Sequence, residues 1–242
     1  MRSCTVASFN LHWGRRLRSN ESYDVIDACR ALDTDVLALQ EVWRPDDGTS
    51  TAEEVAAALG YDFHEAWMCR AELDPKARTV GPAGSSKGDG DCGIALLTRV
   101  PCGPVTAHHL GGFLFDQLDR MLLTADIELD GGTLTVSTSH FPHLEHFSPL
   151  LRWRLRGVLP NHDRPAVVMG DFNMWRWVAR FIIPGWGDTV RGATWPASRP
   201  VFQIDHLLAT PSVAVSEATV VRTGGSDHLP IRATVAIDTP CA

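Results

Sequence analysis

The chain lacks the features that would place it in a membrane, an export pathway or a metal-thiolate class. No apolar run approaches the roughly 18 residues that a membrane span requires, so no integral membrane segment is expected. The first residues, MRSCTVASFNLHWG, carry one early Arg and no long apolar core, unlike a secretory signal. They are expected to open the fold as its first strand, in a cytoplasmic protein. None of the six cysteines, at 4, 29, 69, 92, 102 and 241, forms a CxxC pair, which argues against a zinc ribbon or thioredoxin-type site. Free thiols in a reducing compartment are expected, and Cys69 and Cys92, which flank one loop, are the pair that could bridge. No GxSxG is present, so the nucleophile elbow of a serine hydrolase is missing. Net positive charge is missing too: the formal charge is −7 and the pI about 5.8. Bulk attraction to nucleic acid is therefore weak, and any phosphate-handling site needs a cation to offset local negative charge.

What is present is an ordinary globular composition, 44% hydrophobic and 21% charged over 242 residues, which is ample for a sizeable core. No internal repeat and no linker stands out, and one domain over 1–242 is expected. Strands are expected at 5–9, 35–40, 61–67, 93–98, 121–128, 134–140, 166–169, 204–209, 213–221 and 231–237. The Asp130-Gly131-Gly132 turn signals a hairpin between the fifth and sixth of these. Helical spacing marks 22–32, 51–59 with Thr51 as candidate cap, and 145–158. Residues 70–91, rich in Gly, Pro and Ser, read as one long loop, with Arg70, Lys76, Arg78 and Lys87 as candidate phosphate contacts. Many strands with few helices between them point to a sheet-rich layered α/β fold.

The informative pattern lies at the strand ends. In VVMGDFN, residues 167–173, an apolar run ends at Gly170, and Asp171 and Asn173 follow two residues apart. Side chains alternate along a strand, so these two share a side while Phe172 returns to the core. A carboxylate and an amide so placed can hold a water, a metal or a phosphate. The pattern recurs: Asn10 ends SFN, Glu41 follows LQ, His140 ends SH, Asp205 lies in QIDH, and Asp227-His228 precede the last strand.

SFN, LQEV, SH, GDFN, IDH and SDHLPI, in this order from Asn10 to Ile231, resemble the endonuclease/exonuclease/phosphatase superfamily. That group includes pancreatic-type deoxyribonucleases, abasic-site endonucleases, neutral sphingomyelinases and inositol polyphosphate 5-phosphatases. The resemblance implies a four-layer α/β sandwich, two mixed β-sheets packed face to face with helices outside. It also implies roles at matching positions: Glu41 as metal ligand with Asn10 and Asp227 beside it, and Asp171 and Asn173 positioning and activating water. His228 and His140 would contact the phosphate, Asp205 would orient His228, and Arg120 would face the phosphate. The implied activity is divalent-metal-dependent hydrolysis of a phosphodiester or phosphomonoester by water that Asp171 activates. Mg²⁺ is the implied cofactor, with Mn²⁺ as substitute.

The alternatives are a nucleic-acid endo- or exonuclease of the same fold and a catalytically silent phosphate-binding protein. Gln203 stands before IDH where many nucleases carry Arg or Lys. With the acidity of the chain, this favours a phosphorylated small molecule or lipid headgroup over duplex DNA. No obligate protein partner is inferred. His143 and His146 are expected to be loop residues, and His206 to pack beside Asp205. The Trp-rich segment 174–186 is expected to form a helix packing its aromatic face on the sheet, with a substrate-stacking wall as the other reading.

Overall fold

The computed structural model describes residues 3–17, 19, 21–74, 77–80, 88–113, 116–130, 132–143 and 148–237. The expected alternation of apolar residues forms two sheets. The first has seven strands, β1 (Cys4–Asn10), β2 (Val36–Pro45), β3 (Asp62–Asp74), β4 (Ala77–Val80), β5 (Gly90–Thr98), β12 (Val213–Val220) and β13 (Ile231–Ile237), in the order β12-β13-β1-β2-β5-β3-β4. The second has six, β6 (Thr106–Phe113), β7 (Asp116–Leu129), β8 (Gly132–His140), β9 (Ala166–Asp171), β10 (Gly187–Asp188) and β11 (Asp205–Ala209), in the order β10-β11-β9-β8-β7-β6. Each sheet is mixed. β1 and β2 run parallel, as do β8 and β9, and the remaining pairs are antiparallel. A parallel pair needs a crossover. Helix α1 (Val25–Arg30) lies within the first crossover and α3 (Pro149–Val158) within the second.

Period-two alternation decides the layers. Val6, Val36, Ala38, Ile94 and Leu96 point from the first sheet into a core shared with Leu123, Ala125, Val136, Val167 and Met169 of the second. The residues between them, Ala7, Phe9, Leu37, Leu39, Ala95 and Leu97, pack outward on α1 and α2 (Thr51–Leu59). On the far side, Leu122, Val168 and Leu208 pack against Leu151 and Leu155 of α3 and Val178, Ala179 and Ile182 of α4 (Arg176–Ile182). The result is helix, sheet, sheet, helix. Phe9, Phe141 and Phe172 are among the largest fully buried side chains, each stabilising by about 2–3 kcal/mol on area grounds.

Several expectations need correction. Residues 70–74 continue β3, which pairs with β4, so part of the expected loop is a hairpin; residues 75–76 and 81–87, with Lys76 and Lys87, and the side chain of Arg78 lie outside the description. Arg70 is held by Asp46 at 2.6 and 2.8 Å and by Asp91 at 3.3 Å, which makes it a structural cation. Helix α2 spans 51–59 as expected, but its cap is Ser50, not Thr51: Ser50 Oγ accepts from Glu53 N at 2.9 Å. Helix α4 buries its aliphatic residues and turns Trp177 and Phe181 outward, 54% and 47% exposed; the expected aromatic packing face is reversed. Strand β6 was not anticipated because it lies at a sheet edge and is half exposed, without clean alternation. Cys69 and Cys92 are cross-strand partners and remain thiols. Among the described residues no helix is long and apolar enough to cross a membrane.

Gly170 is the local requirement for bringing β8 and β9 together at the GDFN turn. Its φ is +154°, and a Cβ there would collide with the Ser139 carbonyl oxygen of β8. Gly170→Ala is therefore expected to lower unfolding free energy by about 3 kcal/mol, from overpacking against backbone and an unfavourable φ. Urea unfolding of the purified variant measures this.

Candidate active site

Register assembles the site. In the second sheet, His140 pairs with Asp171 and Asp171 with Asp205 across β8, β9 and β11, so three chemically active side chains stand in one row. In the first sheet, Asn10 at the end of β1 pairs with Gln40 midway along β2. The next residue, Glu41, is the bulge where the β2–β5 register shifts, and its φ is +51°. A bulge re-aims a side chain, and this one turns Glu41 toward Asn10. A slip of one residue in any of these strands would send its site residue to the opposite face.

The two sheets meet through buried polar bonds. Asn10 Nδ2 donates to Glu41 Oε1 at 3.0 Å and to Asp171 Oδ2 at 2.9 Å. Its Oδ1 accepts from the His12 backbone at 2.9 Å. Beneath it, Ser8 Oγ donates to Gln40 Oε1 at 3.2 Å, and Gln40 Nε2 donates to Thr138 Oγ1 across the sheets at 3.1 Å. Asp171 Oδ1 accepts from Asn173 N at 2.9 Å. Asn173, at φ +52°, donates from Nδ2 to Phe141 O at 3.0 Å and sits 2.9 Å from His140 Nε2.

His228 closes the constellation from the loop before β13. Its Nδ1 donates to Asp205 Oδ2 at 2.9 Å, and its Nε2 lies 3.7 Å from Asp171 Oδ2. Ser226 Oγ donates to the Asn10 carbonyl at 2.7 Å and accepts from His228 N at 3.1 Å, tying this loop to β1. Burial alone would lower the His228 pKa, but the facing Asp205 and Asp171 carboxylates outweigh it and raise it to about 10. Burial pushes Asp171 up to about 7, with the facing Asp205 adding to it; the His228 cation and the Asn10 and Asn173 donors pull the other way. His140 is held well below its usual value by burial first, then by Arg120, His143 and His228. One imidazolium, one neutral imidazole and a carboxyl group balanced near neutrality thus share a buried floor.

A divalent cation fits this donor set. Ligand atoms of Glu41, His140 and Asp171 lie within 4.8 Å of one another, as do those of Asp171, Asp205 and His228. Asp227 lines the same cavity, and its buried Oδ1 has no hydrogen-bond partner. Carboxylate oxygens suit a hard ion. Asn10 accepts one hydrogen bond at Oδ1, from His12 N, and its amide protons support the carboxylates of Glu41 and Asp171. Arg120 is buried at the cavity, with Nε on Asp116 Oδ2 at 2.6 Å and Nη1 on His140 O at 3.0 Å.

The cavity above this floor measures about 590 Å³. Its walls bring in residues the sequence had not marked, Trp13, Trp195 and Phe202, together with His12 and Cys92. His143, an exposed residue at a bend as expected, also lines it, edge-on to His140 at 6.4 Å between ring centroids; His146 lies outside the described residues. The signal that could have singled out His12 and Trp13 is conformational. Together with Glu41 and Asn173 they make four of the six described non-glycine residues with positive φ, and such outliers gather where surroundings over-determine a site. His206 is structural, as expected: fully buried, 2.9 Å from the Met174 carbonyl and 3.4 Å from Asp188.

Residues 7–228 match the model of the Endonuclease/Exonuclease/phosphatase family. Among curated proteins, none matches the chain. Solved structures share its fold. An endonuclease/exonuclease/phosphatase from Beutenbergia cavernae is 23% identical with a TM-score of 0.78, over 100% of this chain and 74% of the other. A family protein from Leptotrichia buccalis is 18% identical with a TM-score of 0.72, over 96% and 98%. ANGEL2, described as a 2',3'-cyclic phosphatase and solved with adenosine-2',3'-vanadate, is 14% identical with a TM-score of 0.69, over 98% and 96%.

In chelator-treated protein, nitrogen NMR of the imidazoles should find His228 doubly protonated across neutral pH and His140 neutral. Because the folded pKa of His228 lies above its ordinary 6.5, the proton it holds contributes its full stabilisation below about pH 6.5. That contribution is lost as pH rises through about 10. A neutral His228 at pH 7 would contradict the electrostatics described.

Proposed function

The chain belongs to the endonuclease/exonuclease/phosphatase family, and from that premise we propose that it is a metal-dependent hydrolase of a phosphoester bond, working by in-line attack of water. The observation that carries the reading is the buried cluster of Asp171, Asp205 and Asn10 around His228, which itself lines one cavity with Glu41, His140, Asn173 and Asp227. A phosphoester is anionic and resists attack, so its charge must be offset, a water aligned and the leaving oxygen stabilised. Glu41, with Asp227 beside it, would hold a divalent cation, Mg²⁺ by donor type and Mn²⁺ as substitute. When bound, that ion supplies charge neutralisation at a phosphoryl oxygen.

The chain's own groups divide the remaining work. Asp171 accepts the proton of the attacking water, and its pKa of about 7 matches a base working near neutral pH. Asn173 N holds one oxygen of that carboxylate and Asn10 Nδ2 the other, which fixes its plane. His228 presents a charged N–H to the phosphate. Asp205 keeps its ring oriented and its proton in place. His140, neutral, presents a second ring at the same floor, and Arg120 brings a buried guanidinium beside it.

A small phosphorylated molecule is favoured over duplex nucleic acid. Gln203, where many nucleases carry a cation, turns its amide to the Val190 carbonyl at 3.1 Å. The ANGEL2 description, a cyclic phosphatase solved with a nucleoside vanadate, is compatible with compact phosphoesters on this fold.

Asp171→Asn should lower kcat for a generic phosphodiester such as bis(4-nitrophenyl) phosphate in Mg²⁺ by roughly 10²–10⁴-fold, without loss of folding by circular dichroism. Unchanged turnover would remove Asp171 as the base. Chelation should abolish turnover, and added Mg²⁺ or Mn²⁺ should restore it. Metal binding with no turnover on any of a broad phosphoester panel would identify a silent binding protein instead.

A further inference from the structure

The walls of the cavity have a chemistry that its floor does not require. Trp13 and Trp195 both line it, and both have their one polar group committed to the protein. Trp13 Nε1 donates to Cys92 Sγ at 3.0 Å and Trp195 Nε1 to Asp227 Oδ2 at 3.0 Å. The indoles therefore offer a ligand only carbon surface. Each belongs to a layered ring pair: Trp13 on His12 with 5.8 Å between centroids and 12° between planes, Trp195 on Phe202 with 6.2 Å and 28°. Asp227 links the two pairs, since His12 Nδ1 lies 3.9 Å from its Oδ1. The two ring pairs, joined at Asp227, form an aromatic wall beside the imidazoles and carboxylates that line the cavity, with Met68 and Leu118 adding apolar surface.

Charge points the same way. A polynucleotide is gripped by several cations tracking successive phosphates, which makes its binding steeply salt-dependent. Among the described residues lining this cavity, Arg120 is the one Arg or Lys, and Asp116 already holds it at 2.6 Å. The whole chain carries −7.

We infer that the substrate is a compact ester with a single phosphate, whose other side is a planar apolar ring system that lies against the Trp13–Trp195–Phe202 wall. The ring could be a nucleoside base or a simple aryl group; the shared chemistry is a flat π-face within one ester's reach of the phosphate. A cavity of about 590 Å³ accommodates one such group. Stacking on aromatic faces tightens binding by roughly tenfold or more per ring. This deepens the phosphoesterase reading and rests on it for the phosphate's position, but its test is equilibrium binding and does not depend on turnover.

The experiment is calorimetry on Asp171→Asn protein with Mg²⁺, titrating inorganic phosphate, 1-naphthyl phosphate, adenosine monophosphate, octyl phosphate and a short oligonucleotide. At least one ring-bearing monophosphate should bind about tenfold or more tighter than inorganic phosphate. The adenosine and naphthyl arms tell a nucleoside source from a simple aryl one. Phe202→Ala, at a half-exposed position that folding tolerates, and Trp13→Ala should each reduce that preference several-fold while leaving inorganic phosphate binding unchanged. Octyl phosphate binding as tightly as both ring esters would overturn the planar group. An oligonucleotide binding tighter than the monophosphate, with a steep salt slope, would overturn the single phosphate. If ring preference holds but wild-type protein hydrolyses no phosphoester, the hydrolase reading fails and the wall stands. If phosphoesters are hydrolysed with no ring preference in binding, the wall inference fails and the hydrolase reading stands.

Discussion

One buried side-chain amide joins the two halves of this protein. Asn10 Nδ2 donates to Glu41 on its own sheet and to Asp171 on the other. It thereby sets the distance between the residue most suited to hold a cation and the residue most suited to accept a proton. Most residues between the sheets are apolar and would tolerate small shifts with repacking. A buried amide with its donors and its acceptor all engaged does not, because a shift leaves polar atoms unpaired at a cost of about 1–3 kcal/mol each. The Ser8–Gln40–Thr138 bonds repeat the device one layer deeper. The site is held by these cross-sheet bonds more than by the surrounding hydrophobic packing.

The site concentrates what a fold otherwise avoids. Asp171 and Asp205 face each other as register partners on adjacent strands, both 1% exposed, and like charges so placed repel. His228 makes the pair tolerable by standing near both, and the price is a buried triad whose members cannot be changed independently. Such an arrangement is weak support for stability and strong support for function, since perturbed titrating groups gather where chemistry is done. The left-handed backbone at Glu41 and Asn173 adds strain at the same place. The network beneath, including His206 against the Met174 carbonyl, keeps the turn after β9 from relaxing.

Much of this was legible in the linear chain. Apolar alternation located most strands to within a few residues, because a strand with one face on each of two cores must alternate. The site residues Asn10, His140, Asp171, Asp205 and His228 were legible as polar groups at the ends of apolar runs, a pattern with no packing explanation. Less legible was anything set by an irregularity or by distant segments. The β2 bulge that aims Glu41 has no local signature. The exposed aromatics of α4 resemble a packing face until the sheet beneath is seen to be filled by Val178, Ala179 and Ile182. Arg70 looks like a loop cation until Asp46 and Asp91 are found around it.

The linear chain supplied the inventory: most of the strands, the groups that stand at their ends, and that these groups are oxygen and imidazole donors suited to a phosphate and a hard cation. Tertiary structure alone decided the surroundings: that Trp13, Trp195 and Phe202, far apart in the chain, line one cavity, and that Asp205 and Asp171 share one imidazolium. The reason is that local alternation encodes a residue's side of a strand, whereas the neighbours it meets and the proton affinity that results depend on how whole sheets pack.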